Sequence, residues 1–373
     1  MSSISTEDQY WVALNMVLGV GKTLFHRLIR DIGPPREVFL AAPGTLRRVD
    51  GIGQKTAEQI RSFDFESELG RELAIARKLG AGILTLNHPA YPRLLKDIYD
   101  PPPVLYYQGV LPEPTDVTLA VVGTRAVSSY GRVVTQRLTS ALSSLGVTVV
   151  SGMARGVDTL AHLAALEAGG KTVAVFGCGL DHTYPPENRP LRGQIQRNGC
   201  LFSEFPLSTR PDRNNFPARN RVIAGMCLGT LVIEAGEKSG ALITAEFALE
   251  QGREVFAVPG NITSSNSRGT NQLIQTGAKM VTGVESIVEE LPSQFLEQWG
   301  RKAEAEVKHP GLTPHEQFIL DLLSEEEAHI DNLIQTSRLS AGEVSATLLQ
   351  LEVKGLIRQT GGNRFISNRL AIS

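Results

Sequence analysis

Two short loops of glycine, hydroxyl and arginine residues each follow an apolar run of the sequence. The first is Gly123-Thr124-Arg125, and the second begins at Ser151-Gly152 and includes Arg155. Glycine lets a backbone approach a phosphate closely, hydroxyl groups and the amides of a helix start donate to it, and arginine can bind it through two hydrogen bonds. These two loops therefore predict phosphate binding.

A third stretch, residues 210–221, combines basic and aromatic side chains. Arg213, Arg219 and Arg221 flank Phe216 in the sequence, and Asn220 lies between the last two arginines. Such a group suits a nucleic-acid strand whose phosphates pair with guanidinium groups and whose base stacks on the ring, a contact worth about 1–3 kcal/mol. We therefore expect three guanidinium groups around Phe216. The alternative is a buried phenylalanine with solvated arginines.

Asp158 and His162 lie four residues apart, on one face of the helix expected after the second loop. We expect Asp158 to cap this helix and to form a hydrogen-bonded pair with His162 that fixes the loop. Glu234 follows another apolar run, and we expect it to hold a loop as well. No catalytic residue is predicted.

The sequence contains no complete motif for binding a cofactor. Gly21-Lys22-Thr23 resembles the end of a P-loop, but Met16 stands where the first glycine is required. No Gly-x-Gly-x-x-Gly follows the first strand of the α/β region, so a dinucleotide is not expected. Cys178, Cys200 and Cys227 are far apart and form no CxxC, which predicts small core residues rather than disulfides or zinc ligands. We expect neither a cofactor nor a metal.

The overall charge constrains any nucleic-acid binding. The chain has 37 Lys and Arg against 39 Asp and Glu, a formal net charge of −2, so binding requires a local cluster of basic groups. No apolar run approaches the roughly 20 residues of a membrane span. Residues 1–8 lack the basic start and apolar middle of a secretory signal, which predicts a cytoplasmic protein without membrane contact.

The elements that position these loops follow a regular alternation. Apolar runs of strand length occur at 117–122, 147–151, 172–177, 199–203, 229–234, 253–258 and 279–281, with amphipathic segments between them. This alternation is typical of parallel βαβ units, in which ligands bind beyond the carboxyl ends of the strands. It predicts an α/β fold with an extended Rossmann-like parallel sheet over residues 66–292, a range that includes an N-terminal extension.

Helices are expected before this domain. In residues 1–65, Gly19-Val20-Gly21 and Gly51-Ile52-Gly53 predict a small helix-hairpin-helix or SAM-like domain. Such turns can offer backbone amides to a DNA phosphate, or they can serve only as tight turns between packed helices. Residues 66–115 should then form a bridge: a helix to about residue 79, a strand at 83–86 and a stiff proline-rich connector.

A second small domain is expected at the end of the chain. Residues 293–312 are mostly polar and predict a linker, whereas 313–373 predict a winged-helix domain of three helices and a β-hairpin, with Thr313 as the first N-cap. Winged helices bind DNA or protein. We favour protein contact because the positive charges there are few: Arg338, Lys354, Arg358, Arg364 and Arg369.

The motifs taken together resemble the DprA (Smf) DNA-processing family over most of the chain. They are Gly123-Thr124-Arg125, Ser151-Gly152-x-Ala154-x-Gly156-x-Asp158, Ser203-Glu204-x-Pro206, Phe216-Pro217-x-Arg219-Asn220-Arg221, Glu234-Ala235 and Ser239-Gly240-x-x-x-Thr244. The resemblance implies a protein that binds single-stranded DNA entering a bacterium during natural transformation, protects it and loads the RecA recombinase onto it, without covalent chemistry. It also implies a homodimer formed through the Rossmann-like domain.

The same resemblance assigns roles to individual residues. Arg125 and the backbones of Gly123 and Gly152 would hold phosphates, Arg213 and Arg219 would add positive charge, and Phe216 would pack a base. The predicted DNA-binding set comprises Gly123, Thr124, Arg125, Ser151, Gly152, Arg155, Arg213, Phe216, Arg219, Asn220 and Arg221.

Two other classes of function are compatible with this fold. The segment Gly229-Thr230-Leu231-Val232-Ile233-Glu234 is similar to part of the nucleotide phosphoribohydrolases, in which a glutamate assists cleavage of the base–sugar bond. Here the Pro-Gly-Gly lead-in of those enzymes is missing and Glu234 comes one residue late. A nucleotide-sensing module without catalysis is the third possibility, and it predicts tight binding of a mononucleotide.

Overall fold

The computed structural model of the protein describes residues 4–291, 312–323, 327–337 and 339–367. The chain divides into two compact units, Met1–Pro292 and Ser293–Ser373. Within the described residues, no helix is long and apolar enough to cross a membrane. The linker predicted over residues 293–312 lies outside the described residues except for Leu312.

Short helices form the front of the first unit. They are α1 (Thr6–Met16), α2 (Lys22–Asp31), α3 (Pro35–Leu40), α4 (Pro43–Leu46) and α5 (Gln54–Arg61), followed by a π-helical turn (Phe65–Leu69), α6 (Gly70–Leu79) and α7 (Arg93–Lys96). Trp11 and Phe25 pack between α1 and α2, with ring centroids 5.3 Å apart. Both rings are buried in an apolar core that also includes Tyr106 and Phe176 further along the chain. The boundary after residue 65 stays a prediction, since this core continues across it.

The two Gly-x-Gly turns of the front pack against each other in equivalent ways. Gly19 and Gly51 have φ angles of 89° and 87°, in the left-handed region that favours glycine. A Cβ on Gly19 would lie 3.4 Å from Thr56 Oγ1, and one on Gly51 would lie 2.7 Å from Leu24 Cδ2. The glycines therefore serve tight turns between packed helices, and their contact with phosphate stays a prediction.

A sheet of nine strands forms the centre of the first unit. The strands are β1 (Gly82–Thr85), β2 (Val104–Gly109), β3 (Thr118–Val122), β4 (Thr148–Ser151), β5 (Thr172–Phe176), β6 (Gly199–Ser203), β7 (Gly229–Val232), β8 (Glu254–Ala257) and β9 (Lys279–Met280). Their order is β1-β2-β6-β5-β4-β3-β7-β8-β9. All pairings from β3 to β9 are parallel. The predicted Rossmann-like parallel sheet is confirmed.

Two antiparallel strands extend this sheet beyond β6. β2 pairs with β6, and β1 pairs with β2. The sequence predicts β1 but not β2, whose residues Val104, Leu105 and Tyr106 are fully buried. β2 covers the edge that β6 would otherwise expose, and it links the front helices to the parallel strands.

Helices cover both faces of the sheet. They are α8 (Ser129–Ser144), α9 (Val157–Glu167), α10 (Arg189–Asn198), α11 (Asn215–Gly225), α12 (Gly240–Glu250), α13 (Arg268–Gln275) and α14 (Glu285–Val288). Strand side chains alternate between two apolar cores, with Val175 and Phe202 on one face and Phe176 and Leu201 on the other. The three cysteines are buried and free, which confirms their prediction as core residues.

The second unit contains α15 (Pro314–Leu322), α16 (Ile330–Ser337), α17 (Ala341–Val353) and three strands, β10 (Ala328–His329), β11 (Ile357–Thr360) and β12 (Arg364–Ser367). Antiparallel pairing of β12 with β10 and β11 forms the wing. Thr313 caps α15 in a capping box with Glu316, as predicted for the N-cap. This arrangement confirms the winged-helix domain.

Candidate nucleic-acid interface

A cleft of about 770 Å³ opens at the carboxyl ends of the parallel strands. It lies where β3 separates β4 on one side from β7 on the other. In doubly wound sheets this reversal of strand order leaves a crevice between diverging loops, and ligands bind there. The cleft brings together seven of the predicted residues: Gly123, Thr124, Arg125, Arg213, Phe216, Arg219 and Asn220. Gly152 and Arg155 line a small adjoining pocket.

Glu234 lies two residues after the end of β7, and it holds the first loop, Gly123-Thr124-Arg125. The Thr124 amide donates to the Glu234 carbonyl at 2.8 Å, and the Ser128 amide donates to its carboxylate at 3.0 Å. The Ser128 hydroxyl donates to the same carboxylate. A Cβ on Gly123 would come within 2.5 Å of Val157 Cγ2, so only glycine fits there. The prediction that Glu234 holds a loop is confirmed.

The second loop is held by Asp158, whose carboxylate accepts from the Gly152 amide at 3.1 Å and the Ala154 amide at 3.2 Å. The Gly152 carbonyl accepts from Arg219. Both backbone groups of Gly152 are thus engaged within the chain, so the phosphate contact predicted for them finds no free donor. The fully buried Ser151 hydroxyl donates to the Val121 carbonyl at 2.7 Å, and Ser151 does not line the cleft.

The predicted pair between Asp158 and His162 is wrong. His162 Nδ1 lies 2.7 Å from the Thr172 hydroxyl, and the imidazole is fully buried. Burial and the positive charge of Arg219 lower the pKa of His162 to about 3, so the ring is neutral. Burial raises the pKa of Asp158 to about 6, although Arg219 opposes this shift. The sequence spacing correctly placed both residues on one helix, but Thr172 of β5 supplies the partner.

The three arginines of the third stretch have different environments. Arg213 is exposed and lines the cleft. Arg219 also lines it, but its side chain is buried and donates to the carbonyls of Gly152 and Val175. Burial lowers the pKa of Arg219 to about 10, against the stabilising charge of Asp158. Its cation therefore forms part of the cleft floor.

Arg221 is turned away from the cleft. It pairs with the Glu204 carboxylate and donates to the Asp100 carbonyl at 2.9 Å, and only 2% of its side chain is exposed. The predicted arrangement of three guanidinium groups around Phe216 is therefore wrong for Arg221. Sequence could not show this, because Glu204 and Asp100 lie 17 and 121 residues away from Arg221 in the chain.

Phe216 is half-buried and not enclosed in the core. Its ring centroid lies 5.1 Å from that of Tyr184, with the planes tilted by 33°. One side of the ring packs near Gly177, where a Cβ would come within 2.8 Å of it. The aromatic pair therefore forms a wall of the cleft on which a flat base could stack.

Sequence reasoning missed two cleft residues, Tyr184 and Lys238. Lys238 precedes Ser239, which caps α12 by accepting from the Ala241 amide at 3.3 Å. This serine and glycine before a helix repeat the pattern of the first two loops, and that repetition could have revealed the lysine. Arg155, by contrast, forms an exposed ion pair with Glu187 beside the smaller pocket.

The charges of the cleft are mainly positive. Arg125 and Arg213 are exposed, whereas the nearby carboxylates of Asp158 and Glu234 are buried and accept hydrogen bonds from backbone amides. Within the described residues, no cluster of His, Cys, Asp or Glu could hold a metal ion. The arrangement can bind an anion and a flat ring side by side.

The model of the family described as DNA recombination-mediator protein A matches residues 82–292, and that of the DprA winged helix domain matches residues 303–363. The chain belongs to the DprA family. Protein Smf of Synechocystis is 36% identical to it, covering 97% of this chain and 99% of that protein. DNA processing protein DprA of Bacillus subtilis is 42% identical over 65% of this chain and 84% of its own length.

Solved DprA structures share the fold. That of Streptococcus pneumoniae DprA has a TM-score of 0.67 at 33% identity, covering 78% of this chain and 99% of its own. The DprA of Helicobacter pylori, described for its unique mode of binding single-stranded DNA, has a TM-score of 0.51 at 28% identity, covering 58% of this chain and 96% of its own.

Proposed function

We propose that this DprA-family protein binds single-stranded DNA, protects the strand during natural transformation and loads RecA onto it. One observation carries the proposal: the aromatic wall of Phe216 and Tyr184 lines the same cleft as the exposed cations Arg125 and Arg213. Cations spaced around a stacking surface suit a polymer of phosphates and bases. The H. pylori relative, described for binding single-stranded DNA, supports the same ligand.

A direct binding measurement tests this proposal. A labelled oligonucleotide is titrated as a single strand and as a duplex, at two salt concentrations. We expect the single strand to bind more tightly, because the bases of a duplex are stacked on each other and unavailable to Phe216, and affinity should fall with salt as counterions are released. Equal affinity for both forms, or no binding, would refute the proposal.

An enzyme of the phosphoribohydrolase type is less compatible with the site. A catalytic glutamate must reach its substrate, yet Glu234 is 2% exposed and its two carboxylate oxygens accept from Ser128. Incubation with nucleoside monophosphates, followed by chromatography for free base, tests this alternative. For a nucleotide sensor, a mononucleotide would compete with the oligonucleotide at equal concentration, whereas a DNA-binding cleft would require a large excess.

RecA loading is the further step of the proposed function. It predicts that RecA-dependent ATP hydrolysis on a single strand begins sooner when this protein is present. A homodimer formed through the Rossmann-like domain also belongs to the proposal. The sheet supports it, because β9 is an edge strand of two residues and Met280 on it is 50% exposed.

A further inference from the structure

Lys22, the lysine of the incomplete P-loop, forms an ion pair with the connector between α7 and β2. Its ammonium group lies 2.5 Å from the Asp100 carboxylate. One turn further along α2, His26 Nε2 lies 2.7 Å from the Pro101 carbonyl. Because Lys22 is the first residue of α2, these contacts join a turn of the front helices to the proline-rich connector.

Asp100 is linked in turn to α11, the helix that carries Phe216 of the aromatic wall and Arg219 of the cleft floor. Arg221 of α11 donates to the Asp100 carbonyl at 2.9 Å, and its Nε lies 3.6 Å from the Asp100 carboxylate. The other end of the guanidinium group pairs with Glu204, which follows β6. Cations and anions therefore alternate in an ion chain of four side chains that runs from α2 through α11 to the residue after β6: Lys22, Asp100, Arg221 and Glu204.

This ion chain is balanced only while Lys22 is present. Without the ammonium group, the carboxylates of Asp100 and Glu204 share the single guanidinium group of Arg221. Arg221 is 2% and Glu204 is 12% exposed, whereas Asp100 is 23% exposed and is the member best able to turn toward water. Such a turn would remove the carboxylate that lies 3.6 Å from the Arg221 Nε, and the loss of a nearby opposite charge strongly destabilises a protein with a buried cation.

We propose that Lys22 is a positioning residue of the DNA-binding cleft and acts through Asp100 and Arg221 on the orientation of α11. The inference rests on the proposed binding of single-stranded DNA. It gives the front helices a function in that binding which requires no contact with the strand. Phe216 and Arg219 lie five and two residues before Arg221, so a shift of α11 moves both cleft groups together.

The chain offers a matched control for this lysine. Lys55 is the second residue after Gly53 of the second Gly-x-Gly turn, whereas Lys22 directly follows Gly21 of the first, and Lys55 is exposed. It makes no ion pair within the described part of the chain. Lys55→Met therefore removes the same charge from the same region without disturbing an ion chain, while Lys22→Arg keeps the charge of Lys22.

The experiment measures the affinity of the full chain for a labelled single strand at several salt concentrations. We expect Lys22→Met to weaken binding about fivefold with an unchanged salt slope, because coupled neighbours interact by amounts of this order. Lys22→Arg should restore affinity, and Lys55→Met should bind like the parent protein. If Lys22→Met fails to fold, Asp100→Asn serves in its place. It interrupts the ion chain between Lys22 and Arg221 and should weaken binding by the same factor.

A double-mutant cycle distinguishes positioning from a general effect. In a Phe216→Leu background, Lys22→Met should weaken single-strand binding by a smaller factor than in the parent protein, because the ring that Lys22 positions is already absent. The inference would be overturned if the losses in the double mutant were additive or if Lys22→Met bound like the parent protein. It would also be overturned if Lys22→Arg failed to restore affinity, or if Lys22→Met and Lys55→Met lost affinity equally. If the parent protein does not bind single strands, the proposed function itself is refuted, and the two failures are thus distinguishable.

Discussion

Arg125 is an exposed cation of the cleft and has no ion-pair partner within the described residues. We expect Arg125→Ala to weaken binding to single strands of every sequence, because a phosphate contact carries no base information. The slope of log affinity against log salt should fall by about 0.7, the value for one phosphate of a single strand. Arg197→Ala removes an exposed charge at the end of α10, outside the cleft, and its slope should match that of the parent protein.

Phe216 contributes to binding through its ring and not through charge. Phe216→Ala should weaken single-strand binding by about 1–3 kcal/mol, or roughly 5- to 150-fold, at every salt concentration. Phe216→Tyr keeps the ring and should bind nearly as well as the parent protein. A loss that disappears at low salt would contradict a stacking role. The measurement is the titration of the labelled oligonucleotide, repeated over a range of salt concentrations.

Asp158 gives the protein a pH-dependent stability of unusual sign. Burial raises its pKa from 3.8 to about 6, so between these values the folded protein binds a proton that the unfolded chain does not. Stability from this group is therefore greatest below pH 4 and is lost as pH rises to about 6, by a total on the order of 3 kcal/mol. The difference in unfolding free energy between the parent and Asp158→Asn, measured from pH 4 to 7, should follow this curve. A pH-independent difference would exclude the raised pKa.

At the scale of elements, the first loop depends on a close approach between the end of β3 and the start of α9. A Cβ on Gly123 would come within 2.5 Å of Val157 at the start of α9 and 3.0 Å of the Glu234 carbonyl. We expect Gly123→Ala to displace the loop and weaken single-strand binding by at least tenfold. Gly70→Ala is the control, since nothing lies within 4 Å of its added carbon. Equal affinities of the two variants would show that the loop geometry is unimportant.

The elements differ in how far sequence could predict them. Parallel strands are buried on both faces, so β3 to β8 stand out as continuous apolar runs. β2 directly follows three prolines, which in sequence indicate a connector, and its antiparallel pairing breaks the βαβ repeat. The glycine loops were predictable as strand ends that lie too close to neighbouring groups to leave space for a Cβ, and their contact with phosphate stays a prediction. The partners of Arg221 were not, because their carboxylates come from distant segments.

At the scale of the whole molecule, the basic side chains are unevenly distributed. With a net charge of −2, the chain as a whole does not attract nucleic acid, so the cleft must supply the attraction locally. Helix α17 of the winged-helix domain contains two glutamates and no lysine or arginine. Phosphate contact through this helix is therefore disfavoured, and the role of the domain in protein contact stays a prediction.

The proposed homodimer involves the exposed edge of the whole sheet. Met280 is 50% exposed on the edge strand β9, and a charge there would oppose the addition of a second sheet. We expect Met280→Lys to halve the mass of the particle measured by light scattering after size-exclusion chromatography. Leu249→Lys, at the exposed end of α12, is the control and should leave the mass unchanged. A parent protein that is monomeric at every concentration would contradict the dimer.

The burial of the three cysteines has a practical and chemical consequence. Burial raises the pKa of the Cys178 thiol to about 11 and those of Cys200 and Cys227 even further. Because the thiolate is the reactive form, these residues should resist peroxide and maleimide alike. A single cysteine introduced at the rim of the cleft would then be the preferred target for a fluorophore. Binding of a single-stranded oligonucleotide in the cleft could then be followed in real time, with no other residue of the protein labelled.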